Sequence, residues 1–227
     1  MSEGEAGTRR TVVVIAAIVL LSAAIGIWRW RTTPAEVRLP TPLERRESGL
    51  IEGLRSSRGF ADELEGLPEA DVRRAVRQLA VRGMARLDDE SLLERAVLVD
   101  QMLQRLDEET CGALAQGQAD VAQQDRALTG LGRGEAEAWL DLIYRAARAE
   151  LDGELPPPND PQAIQAALRV LRARLAPEDA QRLIEVLPKL ADADPRAACW
   201  AGRLLYAEVP LLGPPHDRVL ARLLAKP

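Results

Sequence analysis

Apolar and polar positions follow two different rhythms along this chain. Residues 11–28 read TVVVIAAIVLLSAAIGIW, eighteen residues without a charge, with Arg9 and Arg10 before the run and Arg29 and Arg31 after it. From Leu43 onward, apolar residues instead recur at three- and four-residue intervals, the spacing of amphipathic helices. Between them, the segment TTPAEVRLPTP carries three prolines and no helical period, which predicts an extended spacer.

The amphipathic part divides at its punctuation. A weakly patterned helical region over residues 43–67 breaks near residues 56–59, and Pro68 then opens a stronger helix through Val72, Ala75, Val76, Leu79 and Met84. Asp88 or Asp89 caps the next helix, where Leu92, Leu93, Ala96, Val97, Val99, Leu103 and Leu106 form so wide an apolar arc that a central, buried position is expected. A short helix over residues 108–116 stops at Gly117, and a weaker one covers residues 119–131. Beyond Gly132 and Gly134 lies a clear amphipathic helix with Trp139, Leu140, Ile143, Ala147 and Leu151. The segment DGELPPPNDP is the strongest internal break, and Asp-Pro, Ala-Pro-Glu, Asp-Pro and Pro-Pro phrases then start four more helices.

The expected fold is therefore all-α: one transmembrane helix, then a soluble multi-helix domain of antiparallel helical hairpins, with a solenoid as second choice because the Leu-acid entry phrases recur without a fixed period. The expected organisation is a tail (1–10), a signal-anchor helix (11–30), a spacer (31–42), a helical subdomain (43–152), a Pro-rich linker (153–161) and a four-helix subdomain (162–227). Eighteen residues at about 1.5 Å each give roughly 27 Å, near the thickness of the hydrocarbon layer. Trp28 and Trp30 fall where indole rings favour the interface, and Arg9, Arg10, Arg29 and Arg31 can reach lipid phosphates. Small residues near Ser22 also fit a cleaved signal peptide, but the apolar run continues past them to Trp28 and meets arginine at once, which favours an uncleaved anchor. Positive charge flanks both sides; a short N-terminal tail favours a periplasmic domain, while Arg29, Arg31, Arg38, Arg45 and Arg46 pull the other way.

Charge narrows the partners. The chain is acidic overall, at −5, and opposite signs alternate without a basic stripe, so nucleic acid is not an expected partner. The basic residues are arginine except at Lys189 and Lys226, a preference that GC-rich coding accounts for and to which the sequence alone assigns no mechanism. Aromatic residues are too few for stacking platforms, and Trp139 and Trp200 sit on apolar faces as expected core residues.

Candidate chemistry is sparse. Cys111 and Cys199, the only cysteines, would form a disulfide outside the cytoplasm and remain two buried thiols inside it. His216-Asp217 looks like a metal dipeptide, but one histidine and two scattered cysteines assemble no zinc or haem site, and a polar helix start explains the pair. Glu90-Ser91 resembles the catalytic Glu-Ser pair of helical lytic transglycosylases, yet the downstream Gly- and Gln-rich motif is missing and capping accounts for the same residues. No phosphate loop or serine-hydrolase motif occurs, and Pro156 to Pro158 read as a stiff spacer more readily than as a polyproline ligand. By exclusion, the expectation is a non-enzymatic, single-pass protein of the bacterial inner membrane. It would touch the bilayer through its N-terminal helix and present a helical protein-interaction or scaffold module to another envelope protein, with no catalytic residue, cofactor or metal. A cell-wall hydrolase or modifying enzyme using an acidic residue, and a membrane-docked cytoplasmic regulator, are the alternatives.

Overall fold

Eleven α-helices follow one another in the computed structural model, which describes residues 41–225 except Asn159. The expected anchor with Arg9, Arg10, Trp28, Arg29, Trp30 and Arg31, and the spacer up to residue 40, lie outside the described residues. Among the described residues no strand occurs, and no helix is long and apolar enough to cross a membrane. The helices are α1 (Thr41–Leu54), α2 (Phe60–Glu63), α3 (Glu69–Gly83), α4 (Asp89–Arg105), α5 (Glu108–Ala115), α6 (Val121–Thr129), α7 (Arg133–Leu151), α8 (Pro161–Arg174), α9 (Pro177–Val186), α10 (Pro195–Glu208) and α11 (His216–Leu224).

Their ends follow from local chemistry. Asp88 accepts a hydrogen bond from the Ser91 amide at 2.7 Å, Asp107 from Thr110 at 2.9 Å, and Asp120 and Gln123 form a reciprocal capping box. Pro161, Pro177 and Pro195 occupy first-turn positions, where a missing N–H leaves no bond unmade. At the other ends of α5 and α7, Gly117 and Gly153 turn the chain with φ of 68° and 69°, a conformation that a side chain disfavours.

Packing departs from the hairpin expectation. The dominant pairs are α3 with α7, α5 with α10, and α11 with both α4 and α8, all distant in sequence. Helices of 8 to 10 residues such as α5, α6 and α9 are too short to bury an apolar face on one neighbour, so several distant helices share it. The Pro-rich segment is a break in the chain and not in the packing, because a single hydrophobic cluster joins residues on both sides of it, from Leu54 to Ala225. Helix α4 is central as expected, touching α5, α6, α7, α10 and α11. Its buried stripe runs through Leu92, Ala96, Leu98, Met102 and Leu103, however, and Val97 is 40% exposed while Val99 and Leu93 are half-buried. A straight helix turns only one stripe fully inward, and the wide apolar arc overstates it.

The arginines have a structural role that composition conceals. Arg203 of α10 donates to the carbonyls of Leu103 (2.9 Å) and Leu106 (2.7 Å) at the end of α4. Arg222 of α11 donates to Ala85 and Leu87 at the end of the α3 region while also holding Asp89. Arg95 of α4 donates to Leu224 at the end of α11, Arg105 to Gly130 at the end of α6, and Arg148 of α7 to Gly53 at the end of α1. Gln116 similarly donates to Leu190 and Ala193. The last carbonyls of a helix lack intrahelical donors, and a forked guanidinium can satisfy two of them at once.

Two substitutions probe this packing. Arg203→Lys replaces a fork by a single ammonium and should cost about 1 kcal/mol in urea unfolding, since one of two carbonyls loses its donor. Gly83→Ala should cost about 3 kcal/mol or more, because its Cβ would stand 1.9 Å from the Ala146 carbonyl oxygen where α3 crosses α7. Unchanged urea midpoints would contradict both expectations.

Candidate functional site

Two buried seams bring chemically distinct residues together. The first joins α5 and α10. A Cβ on Gly112 would lie 2.3 Å from the Pro195 carbonyl oxygen, and one on Gly202 would lie 3.0 Å from the Ala115 Cβ, so small residues set the helix spacing. In this seam Cys111 and Cys199, both almost fully buried, are disulfide-bonded with Cα atoms 5.1 Å apart. The bond closes a sequence separation of 88. Nearby, Tyr206 is completely buried and accepts a hydrogen bond at 3.3 Å from Arg95, itself 5% exposed and with no carboxylate in ion-pair contact among the described residues. The Leu224 carbonyl and the face of the Tyr206 ring, 5.9 Å away, supply the negative potential this cation needs.

The second seam lies where α1 meets α3 and α7. Glu47 is only 4% exposed although it stands on the apolar face of α1, in line with Leu43, Leu50, Ile51 and Leu54. Its carboxylate accepts a hydrogen bond at 3.3 Å from the Tyr144 hydroxyl and lies 3.2 Å from the Arg73 guanidinium. Burial pushes the Tyr144 phenol well above its ordinary value, with the Glu47 charge adding to the effect. Burial likewise lowers the Arg77 guanidinium, while attraction to Glu47 opposes that shift. On the rim, Arg46 pairs bidentately with Asp141, and Arg148 donates to the Gly53 carbonyl and to Ser56 Oγ. The sequence signal for this site is a carboxylate interrupting an apolar stripe, with Leu50, Ile51 and Leu54 three, four and seven places after it, which reads as weak patterning until α3 and α7 are placed.

The other candidates stay apart. Glu90 is exposed in the first turn of α4, whereas its neighbour Ser91 is buried and accepts a hydrogen bond at 2.7 Å from Arg145. Asp217 is buried at the start of α11, where its carboxylate accepts from the Arg218 amide, and His216 is half-buried beside it. Among the described residues no group of histidine, cysteine and carboxylate side chains could hold a metal ion. Trp139 is buried, while Trp200 is half-buried, with the Arg182 guanidinium 4.1 Å over its ring. Pro156 to Pro158 are exposed, and Leu155 beside them is 86% exposed. The shallow depression lined by Leu114, Gly117, Ala119 and Gln124 has no room for a water molecule.

No protein-family model matches the chain, and neither a curated protein nor a solved structure is similar to it.

Charge at the helix starts gives the fold an acid sensitivity of known sign. The Arg105 guanidinium and the Gly132 amide hold the Glu135 carboxyl down from 4.5 to about 2. The Ser91 amide lowers Asp88, and the Thr110 amide lowers Asp107. A carboxyl depressed in the folded state adds stability that is complete above its ordinary value and is lost as pH falls toward the folded one. Stability should therefore decline between about pH 4.5 and 2. Carboxyl NMR titration should place the Glu135 midpoint near 2, and Glu135→Gln should flatten the acid limb; a midpoint near 4.5 would contradict the pairing.

Proposed function

We propose that this chain is a single-pass protein of the bacterial envelope whose helical domain, anchored by residues 11–30, works outside the cytoplasm as a non-enzymatic module that binds another protein. The observation that carries the placement is the Cys111–Cys199 disulfide in the core. A buried bond of this kind belongs to oxidising compartments, because cytoplasmic reductants keep thiols apart. The uncharged apolar run bracketed by arginines supplies the anchor, with the N-terminal tail on the cytoplasmic side.

Several features support a binding role. A cross-braced bundle of short helices offers grooves for a partner helix, and tethering to the bilayer raises the local concentration of such a partner. Glu90, the carboxylate a wall-cleaving enzyme would use, is exposed in the first turn of α4 and not enclosed in a groove. A cytoplasmic regulator would keep Cys111 and Cys199 reduced, against the bond in the core.

An alkaline phosphatase fused after Pro227 should be active in intact cells, and the chain should migrate faster on gels without reductant than with it. Inactive phosphatase together with thiols that alkylate without prior reduction would overturn the placement. Photo-crosslinking residues set at exposed positions such as Leu155 and Leu211 should trap a discrete envelope protein; crosslinks to lipid alone would remove the binding role. Replacing both cysteines by serine should lower stability by about 2–4 kcal/mol through loss of loop closure, read by urea unfolding of the purified chain.

A further inference from the structure

The sulfurs of Cys111 and Cys199 lie where a third sulfur has no way in. The two residues are 0% and 1% exposed, and the helices that carry them approach through backbone, not through side chains that could swing aside. One residue after Cys111, a Cβ on Gly112 would already stand 2.3 Å from the Pro195 carbonyl oxygen. Three residues after Cys199, a Cβ on Gly202 would meet the Ala115 methyl at 3.0 Å and the Leu103 side chain at 3.3 Å.

Polar ties border the same seam on several sides. Arg196 and Glu108 pair at 2.9 Å across the first turns of α10 and α5. At the far end of α5, Gln116 donates to the carbonyls of Leu190 (3.2 Å) and Ala193 (2.7 Å), and Gln118 donates to Ala191 at 2.7 Å. Arg203 of α10 holds the Leu103 and Leu106 carbonyls just ahead of α5. Moving α10 away from α5 breaks these contacts together, so the sulfurs are uncovered by unfolding of the seam and not by a side-chain fluctuation. Thiol–disulfide exchange passes through a mixed disulfide in both directions, and a bond that a reducing thiol cannot reach is one that a disulfide donor cannot make there.

We propose that the Cys111–Cys199 bond is made on the open chain, by exchange with the disulfide of an external donor, and that docking of α10 on α5 then closes it to thiols. In the first exchange, the thiolate of one cysteine attacks a donor sulfur. A bond forms between the two, the donor's own S–S bond breaks, and its other sulfur leaves as a thiolate. The thiolate of the second cysteine then attacks the sulfur of the first, which forms the native bond and releases the donor's remaining thiolate. The chain loses two electrons and two protons, and the donor disulfide is reduced to two thiols. Oxidation of an unfolded dithiol is thus the class of reaction that must precede the folding of this domain. That such a donor is at hand rests on the placement of the domain outside the cytoplasm; the order of the two events does not.

Dithiothreitol added to the oxidised full chain in detergent reads the closure, with iodoacetamide stopping the reaction and gel mobility scoring it. At one concentration and pH, reduction in buffer should be at least about a hundred-fold slower than in urea concentrated enough to unfold the domain, because only molecules with an open seam react. A smaller ratio overturns the proposal. In the making direction, the chain reduced in urea should gain the bond from oxidised glutathione added before dilution. The same chain diluted first, and folded by the fluorescence of Trp139 and Trp200, should keep both thiols; oxidation there at the rate seen in urea overturns the proposal as well. The reduction measurement does not depend on whether the reduced chain folds. An inactive phosphatase fusion with a bond that resists dithiothreitol would discard the extracytoplasmic placement and retain this order of events, and an active fusion with a rapidly reduced bond would do the reverse.

Discussion

Every helix ends in carbonyl groups that have no donor within the helix, and the eleven helices among the described residues multiply such ends. In this protein many of them are satisfied by side chains from elsewhere in the sequence. Arg95 and Arg222 interlock α4 and α11 in opposite senses: Arg95 of α4 reaches the end of α11, and Arg222 of α11 reaches the carbonyls just before α4. Arg203 ties α10 to the opposite end of α4. These bonds fix helix ends in position, whereas leucine and alanine contacts alone would tolerate sliding. The hydrophobic cluster and the disulfide seam both depend on that registration, since Gly112 and Cys111 reach α10 only if α5 leaves the end of α4 at the right place.

The same device explains the contrast between the two buried seams. Between α5 and α10 the contact is covalent and tightly packed. Between α1 and its neighbours it is polar, with Arg148 holding the last turn and Glu47 held by a cation and a phenol. Isolated ion pairs at a partly covered interface contribute little net stability, because enclosing the charges costs about as much as pairing them returns. The two seams are thus joined by different chemistry, one covalent and the other made of hydrogen bonds and ion pairs.

Much of the helix pattern is legible in the sequence because its signals are local. Asp88, Asp107, Asp120, Asp160 and Asp194 mark helix starts through bonds to amides two or three residues ahead. Gly117 and Gly153 mark ends through a backbone conformation of their own. What the sequence does not display is which faces meet. The pairing of α3 with α7 depends on Gly83 receiving the Ala146 carbonyl 63 positions later in the chain, and nothing near Gly83 announces it. Arg95, Arg203 and Arg222 look like solvated charges on amphipathic helices until their carbonyl acceptors are in place. Glu47 is the instructive case, since its burial reverses the usual meaning of a charge on an apolar stripe. Val97 shows the opposite error, an apolar residue left outside when the inward stripe is already filled.

The disulfide has a mechanical consequence as well. A pull entering at Thr41 reaches α1 and its polar contacts before it reaches Cys111 in α5. The chain between Cys111 and Cys199 would span on the order of 300 Å if drawn straight, yet the bond holds its ends 5.1 Å apart. None of that contour length can be released under load while the sulfurs stay joined. Extension would therefore be confined to the segments outside the loop from Cys111 to Cys199, with more than a third of the chain unable to lengthen at all.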